Sequence, residues 1–279
     1  MKFNVNKHIE YRNNRFTKVS ISNPKLLGLA TIEINPTELC NRTCSFCPRV
    51  NPLLYPNRNL NMTIETAQLI VEQLLDAEYN GDINITGFGE PLLNKDIVQI
   101  CTIFSKHYHT ELITNGDNIL NGKITLQDLE FLDLLIIDCY DGKEQVKKFK
   151  NLLKNKKNKF ILRPHYDTGD PALINQYGFN NRGGLLYKKS NSNPCYMPSY
   201  KGFIDWNGDV RLCCNDWSRK QLPFGNIHNN TFSKIWMNNN FVKLRQELYN
   251  GNRNFSNACE TCDVCGTKVG KNSAELFLS

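Results

Sequence analysis

The residues best suited to chemistry are cysteines, and three of them stand close together in the first quarter of the chain. Cys40, Cys44 and Cys47 form a Cys-x3-Cys-x2-Cys pattern within CNRTCSFC. Three thiolates can hold three irons of a [4Fe–4S] cluster, which leaves the fourth iron without a protein ligand. An open metal position is what inner-sphere chemistry requires. Spacing alone also allows a zinc site with a distant fourth ligand.

A second group of cysteines lies near the C-terminal end. Cys195 and Cys213 are followed, some forty residues later, by the pair Cys259-x2-Cys262. Four such thiolates suffice for one further [4Fe–4S] cluster. A zinc ribbon is the alternative, and Cys265 makes the composition of the last trio ambiguous.

Composition favours metal binding over disulfides. The chain has 279 residues, 11 cysteines and a net charge of +7. It shows no signal peptide and no apolar run approaching the roughly 20 residues of a membrane span. We therefore expect a cytoplasmic protein without membrane contact, whose thiols are reduced. The basic run at 147–160 is interpreted as a solvated helix face, so no nucleic-acid partner is expected.

The first cysteine group follows the first of several strands that alternate with helices. This alternation predicts parallel βαβ units and an α/β fold, namely a partial (β/α) TIM-like barrel of about five to six parallel strands. Sites in such folds lie at the carboxyl ends of the strands. A sixth strand is possible at Gly184–Tyr187. The five clear strands are predicted at 29–35, 82–86, 110–114, 134–139 and 159–163, and the helices at 62–79, 94–107, 125–132 and 142–155.

The chain divides into three predicted parts. Residues 1–28 lack clear periodicity and form an N-terminal extension, and 29–190 form the barrel. From about Ser190 cysteines and turn residues increase, which predicts a small C-terminal domain at 191–279. That domain contains a hairpin at 199–214, turning at Asn207-Gly208, and a helix at 231–251.

Three segments that follow the first three strands together resemble the radical SAM (S-adenosyl-L-methionine) superfamily. They are CNRTCSFC, TGFGEPLL at 86–93 and TNGD at 114–117. The resemblance implies that SAM binds the open iron and that its reductive cleavage gives a 5′-deoxyadenosyl radical. This radical would abstract hydrogen from an unactivated carbon. A flavodoxin- or ferredoxin-type electron donor is implied as a partner.

The same resemblance implies a SAM-binding role for seven residues. They are Phe46, near the adenine; Gly87, Phe88, Gly89 and Glu90, near the methionine amino group; and Thr114 and Asn115, near the ribose. Glycines permit close backbone approach, and a carboxylate can accept from an ammonium group.

The C-terminal cysteines resemble those of the auxiliary-cluster domain called SPASM and of its shorter variant, Twitch. Too few cysteines remain for the second auxiliary cluster of a full SPASM domain, so the resemblance favours Twitch. It implies one auxiliary [4Fe–4S] cluster on Cys195, Cys213, Cys259 and Cys262.

Further shared segments resemble the Twitch-type dehydrogenases that oxidise a cyclitol hydroxyl in aminoglycoside biosynthesis. Among them are GEPLL, NRGG and GNI. This resemblance implies that Arg182 contacts the substrate hydroxyl and stabilises the developing oxyanion. The expected reaction is dehydrogenation of a sugar, cyclitol or similar polyol, with the auxiliary cluster as electron acceptor.

Two positions depart from that family. Cys214 replaces an aromatic residue of the substrate site, and Ile113 replaces a tyrosine. A thiol beside the substrate can donate a hydrogen atom, so a redox-neutral epimerase using Cys214 is the alternative. Cys139 is a second candidate thiol at the barrel mouth, whereas Cys101 is expected in the core.

Two other functions agree less well with the sequence. Modification of a ribosomal peptide fits poorly, because residues 1–28 are short for a leader-binding module. A zinc-bearing nucleic-acid-binding module would leave the GFGEP and TNGD segments without a role.

Overall fold

A single mixed sheet organises the protein. The computed structural model describes residues 5–16, 23–154, 159–165, 180–189, 191–266 and 268–278. Within these residues the sheet has eight strands, in the order β5-β4-β3-β2-β1-β6-β7-β8. The strands are β1 (Thr31–Ile34), β2 (Asp82–Ile85), β3 (Thr110–Thr114), β4 (Leu134–Cys139), β5 (Phe160–Pro164), β6 (Lys201–Ile204), β7 (Asp209–Val210) and β8 (Gly225–Asn226).

The first six strands pair in parallel, which confirms the predicted α/β class. The sixth parallel strand is not where the sequence placed it. Residues Gly184–Tyr187 form turns and bends, and Gly183 and Gly184 have φ values of +66° and +84° that a strand excludes. The sixth strand is β6, which pairs with β1 and also begins the predicted hairpin with β7. The C-terminal segment therefore extends the barrel sheet.

Three predictions about the helices need correction, and the helices at Asp117–Leu120, Met197–Tyr200 and Lys268–Glu275 were not predicted. Thr63 is the N-cap of the helix at Ile64–Asp76, because its side chain accepts from the Thr66 backbone amide. The helix predicted at 125–132 is a short 3-10 turn, and the one at 231–251 breaks after Trp236 into two helices. The helices are α1 (Val5–Phe16), α2 (Ile64–Asp76), α3 (Ile97–Ser105), α4 (Asp117–Leu120), α5 (Gly142–Leu153), α6 (Met197–Tyr200), α7 (Phe232–Trp236), α8 (Asn239–Tyr249) and α9 (Lys268–Glu275).

The N-terminal extension is the third correction, since it contains helix α1. Arg12 on α1 forms an ion pair with Glu111 on β3, at 2.8 Å. Arg15, one turn later, pairs with Asp82 at the start of β2, at 2.7 Å. Helix α1 thus contacts the amino ends of the strands through charged side chains.

One continuous apolar core lies between the sheet and the helices. It includes Ile32 and Ile83 from the sheet and Phe232 and Phe241 from the C-terminal helices. The barrel and the C-terminal segment are therefore packed together. No helix in the described part of the chain is long and apolar enough to cross a membrane.

Candidate active site

A cavity of about 340 Å³ lies at the carboxyl ends of the barrel strands. Cys40, Cys44 and Cys47 all border it, on the loop that follows β1. Cys44 is buried and the other two are partly exposed. Three thiols around one open cavity fit a cluster with three protein ligands and one iron free for another molecule.

Among the described residues, the cysteine thiols form no compact trio of the kind that tetrahedral zinc requires. Tetrahedral zinc holds each sulfur at about 2.3 Å, which draws the sulfurs close together. Across the described residues, which include every cysteine, no three cysteine sulfurs lie within 4.8 Å of one another. The compact group found there is Asp82, His109 and Glu111, whose carboxylates already pair with α1. Wider spacing suits ligands that bind different irons of a cluster.

The first cysteine loop is fastened to the TNGD segment by Asn41 and Arg42. Arg42 donates two hydrogen bonds to Asp117, at 2.6 and 2.7 Å, and also pairs with Asp141. The Asn41 side chain donates to Asp117 at 2.6 Å and accepts from the side-chain amide of Asn115 at 2.9 Å. The loop around the cysteines and the expected ribose segment are thus held as one unit, which we call the Arg42 latch.

The GFGEP segment approaches the first cysteine loop so closely that side chains would not fit. A Cβ on Gly87 would overlap the Asn35 side chain, and a Cβ on Gly89 would overlap the carbonyls of Thr37 and Leu39. The segment therefore needs glycine at both positions, and it borders the cavity through its backbone.

Glu90 connects GFGEP to TNGD. Its buried carboxylate accepts hydrogen bonds from the Thr114 hydroxyl at 2.5 Å and from the backbone amide of Asn115 at 2.7 Å. Burial raises the pKa of Glu90 to about 7, although these hydrogen bonds oppose the shift. Glu90, Thr114 and Asn115 all border the cavity.

The two aromatic residues implied in SAM binding also lie at the cavity. Phe46 is buried and packs against Tyr140, with ring centroids 5.1 Å apart. Phe88 packs with Phe203 and Trp217 at 5.0 and 4.7 Å. All seven residues implied in SAM binding therefore border the same cavity as the first cysteine group.

The second cysteine group also converges. Cys259 lies within electrostatic range of Cys195 and Cys262, and Cys213 lies within range of Cys259 and Cys262. Burial raises the pKa of Cys262 to about 11, so metal binding at this thiol must displace a proton. The four thiols fit one auxiliary cluster.

Cys265 lies beside the same group, within electrostatic range of Cys195. Arg253 donates to its sulfur at 3.4 Å, and Asn191 does so at 3.7 Å. The Arg253 guanidinium also donates to the carbonyls of Asn193 and Val264. These contacts fix the loop that carries the last cysteines.

Arg182 reaches the cavity from a strained turn. It has φ +52°, which is unfavourable for a residue with a side chain. A Cβ on Gly183 would overlap the backbone carbonyl oxygen of Asn215, and one on Gly184 would overlap Thr261. The NRGG turn thus fits against the C-terminal segment and directs Arg182 to the cavity.

Of the two candidate thiols, Cys214 borders the cavity and Cys139 does not. Asn215 donates to the Cys214 sulfur at 3.8 Å, and burial raises the pKa of this thiol to about 11. The expectation of Cys139 at the barrel mouth is wrong, because its side chain is buried in the core and its thiol donates to the Ile137 carbonyl. Cys101 lies in the core, as predicted.

Sequence reasoning missed several polar residues of the cavity wall. Glu33 and Asp138 lie in strands β1 and β4, and each pairs with a cation, Lys201 and Arg163 respectively. A charged residue inside an otherwise apolar strand was the available signal. Trp217 was also missed; it borders the cavity, and its buried indole N–H has no hydrogen-bond partner among the described residues.

Comparisons with known proteins agree with this site. The radical SAM superfamily model matches residues 34–152, and the SPASM iron-sulfur cluster-binding domain model matches residues 195–266. Over 249 residues the chain is 28% identical to the S-adenosyl-L-methionine-dependent 2-deoxy-scyllo-inosamine dehydrogenase of Niallia circulans, covering 86% of this chain and 94% of that protein.

Two solved structures share the fold. BtrN in complex with AdoMet and 2-DOIA has a TM-score of 0.69 and 24% identity, covering 84% of this chain and 93% of that one. Selenomethionine BtrN in an open conformation has a TM-score of 0.60 and 24% identity, covering 85% and 94%.

Proposed function

This chain is a radical SAM enzyme with a C-terminal SPASM domain, and on that premise we propose that it dehydrogenates a hydroxyl-bearing carbon of a cyclitol or similar polyol. The observation that carries the proposal is the shared cavity. Arg182 and Cys214 border the same space as Cys40, Cys44 and Cys47, and Cys214 directly follows the auxiliary ligand Cys213. A substrate in this cavity would lie between the SAM site and the auxiliary site.

The cofactors are SAM, the [4Fe–4S] cluster that binds it and an auxiliary iron–sulfur cluster. In the proposal the first cluster is held by Cys40, Cys44 and Cys47, and a single auxiliary [4Fe–4S] cluster is held by Cys195, Cys213, Cys259 and Cys262. Together with an external electron donor, they supply a 5′-deoxyadenosyl radical and an acceptor for one electron. We propose residues 29–190 as the barrel unit and 191–279 as the auxiliary unit.

The protein residues position the reactants. Glu90, with Thr114 and Asn115, orients the SAM-binding loops, and Phe46 covers the adenine side. Arg182 donates to the substrate hydroxyl, since a guanidinium offers a fixed array of donors to oxygen. Such donors suit a molecule rich in hydroxyl groups.

The substrate class is proposed from the dehydrogenase relative, which acts on 2-deoxy-scyllo-inosamine according to its name. Ile113 and Cys214 border the cavity, at two positions where this chain departs from the dehydrogenase pattern. We therefore propose a cyclitol or aminocyclitol and do not restrict it to that compound. A cytoplasmic location and a flavodoxin- or ferredoxin-type donor belong to the same proposal.

Epimerisation is the second candidate, because Cys214 does border the cavity. In that reaction the thiol would return a hydrogen atom to the substrate carbon, and no net oxidation would occur. The two reactions differ in their product, which is a ketone in one case and a stereoisomer in the other.

The test uses reconstituted protein, SAM, a chemical reductant and a panel of cyclitols that includes 2-deoxy-scyllo-inosamine, in deuterated water. Dehydrogenation predicts a ketone, and it predicts that Cys214→Ala still forms ketone. An isomer with deuterium at one ring carbon, lost in Cys214→Ala, would overturn dehydrogenation in favour of epimerisation. Cys139→Ala is the matched control, because Cys139 is a buried thiol that does not border the cavity.

A further inference from the structure

Glu33 is a buried acid in the wall of the substrate cavity. It lies in β1 and is 5% exposed, yet it borders the cavity. Its neighbours in the strand, Ile32 and Ile34, face the apolar core. Because strand side chains alternate, Glu33 faces the opposite side, toward the barrel interior.

Lys201 is the cation that compensates Glu33. It lies in β6, the strand beside β1, and its ammonium pairs with one carboxylate oxygen of Glu33. The side chains of Lys201 and Glu33 are 11% and 7% exposed. A buried ion pair adds little stability, because desolvation offsets the attraction. Its occurrence beside a cavity therefore calls for another role.

The carboxylate retains capacity for a ligand. An ionised carboxylate has about four acceptor positions on two oxygens, and Lys201 binds Oε2. The other acids of the wall, Asp138 and Glu90, are more heavily engaged. Arg163 binds both oxygens of Asp138 and Tyr140 donates to one of them. Glu90 accepts from Thr114, Asn115 and Leu92. Glu33 is therefore the better acceptor for a substrate proton.

Glu33 also lies close to the two residues proposed to contact the substrate. The Cys214 thiol is within hydrogen-bonding reach of Glu33, and Arg182 is within electrostatic range of the same thiol. Cys214 adjoins Cys213, and it packs against the same aromatic cluster as Cys47, with Phe88 as a member of that cluster. A substrate that lies beside the SAM-binding loops would therefore be near Glu33 and Arg182, which border the same cavity.

We propose that Glu33, paired with Lys201, is the base that accepts the hydroxyl proton during dehydrogenation; this rests on the proposed function. Removal of hydrogen from the carbinol carbon leaves a carbon radical that bears O–H. The O–H bond then breaks and the proton passes to the Glu33 carboxylate. The auxiliary cluster, held by Cys195, Cys213, Cys259 and Cys262, would accept the one electron that is released. The carbon–oxygen double bond of the ketone forms. Because loss of the electron makes the O–H group strongly acidic, a carboxylate is a sufficient base.

The experiment separates hydrogen abstraction from ketone formation. Glu33→Gln keeps the side-chain shape but cannot accept the proton. Both 5′-deoxyadenosine and ketone are measured, with a substrate that the wild-type protein oxidises. We expect ketone formation to fall by about 100-fold or more, in the range for loss of a general base. Formation of 5′-deoxyadenosine should remain close to wild type, so the ratio of 5′-deoxyadenosine to ketone rises.

Glu111→Gln is the matched control. Glu111 is also a buried acid in a barrel strand with a cationic partner, but that partner is Arg12 at the amino ends of the strands. Iron content and substrate binding without reductant are measured for both variants. Both quantities should match wild type, and the control should leave the product ratio unchanged. If Glu33→Gln does not load iron, Glu33→Asp replaces it, with a smaller rise in the ratio expected.

The outcomes distinguish this inference from the proposed function. If wild-type protein forms 5′-deoxyadenosine but no ketone from any cyclitol, the proposed function fails and the inference fails with it. If wild-type protein forms ketone and Glu33→Gln forms it equally fast, the inference alone is overturned. The same holds if 5′-deoxyadenosine and ketone fall in parallel.

Discussion

The backbone of Gly183 lies directly against the carbonyl oxygen of Asn215, so that no side chain could be placed between them. This contact joins the turn that carries Arg182 to the loop that carries Cys214. Arg182 and Cys214, the two residues proposed to contact the substrate, therefore reach the cavity from two segments. The relative position of these segments depends on Gly183.

Substitution of Gly183 should displace Arg182. Gly183→Ala combines a positive φ of +66° with an overlap on backbone that cannot rotate away. Gly122→Ala is the matched control, because Gly122 has φ +74° and open space around it. The control should lose about 1–2 kcal/mol of unfolding free energy from the positive φ alone. Gly183→Ala should lose more unfolding free energy than the control. It should also raise KM for the cyclitol, because Arg182 would be displaced. Equal losses in both variants, with KM unchanged, would contradict the contact's role.

The Arg42 latch should affect SAM affinity through Asp117. Asp117→Asn removes the negative charge that accepts hydrogen bonds from Asn41 and Arg42. We expect the Kd for SAM to rise about tenfold, which is a loss of about 1.4 kcal/mol of binding free energy. Asp141→Asn is the control, since Asp141 is 57% exposed and such pairs contribute little. Calorimetric titration of reconstituted protein with SAM provides the measurement. Equal effects of the two substitutions would show that the latch does not position the SAM site.

Glu90 should give the SAM-free protein a characteristic dependence on pH. Its folded-state pKa is about 7, above the ordinary value of 4.5. Between these values the folded state binds more protons than the unfolded state, so Glu90 makes the free energy of unfolding fall as pH rises. The difference between wild type and Glu90→Gln should decline from about pH 4.5 to about pH 7 and then level off. Urea unfolding across this pH range measures the difference in unfolding free energy. A difference that does not change with pH would refute the raised pKa of Glu90.

Iron content should identify the auxiliary ligands. Wild-type protein reconstituted without oxygen should hold about eight irons, for two [4Fe–4S] clusters. Cys259→Ser should lower this to about four, whereas Cys265→Ser should leave it near eight, because Cys195, Cys213, Cys259 and Cys262 already supply four ligands. Loss of iron in Cys265→Ser would make Cys265 a ligand instead.

Local pattern was sufficient to predict the β/α order. The strand at Thr110–Thr114 is rich in β-branched residues, and the one at Leu134–Cys139 is mostly apolar, so the sequence locates both. The pairing of β6 with β1 was not predictable in this way, because it joins residues about 170 positions apart. Short-range periodicity carries no information about such a partner.

Helix α1 was missed for a related reason. A surface helix is recognised by its apolar stripe, but α1 contacts charged strand ends through Arg12 and Arg15. The cofactor-binding loops were more predictable than the other residues that line the cavity. Cysteine spacing and glycine-rich segments mark the cofactor loops, whereas Glu33 and Lys201 meet only across two neighbouring strands.

The most direct test of dehydrogenation is the fate of the carbinol hydrogen. A cyclitol that the protein turns over, carrying deuterium at the reacting carbon, is incubated with reduced protein and SAM. We expect deuterium in 5′-deoxyadenosine and one ketone for each deuterated 5′-deoxyadenosine. Deuterium in 5′-deoxyadenosine without ketone, together with a stereoisomer that has gained hydrogen from solvent, would contradict dehydrogenation.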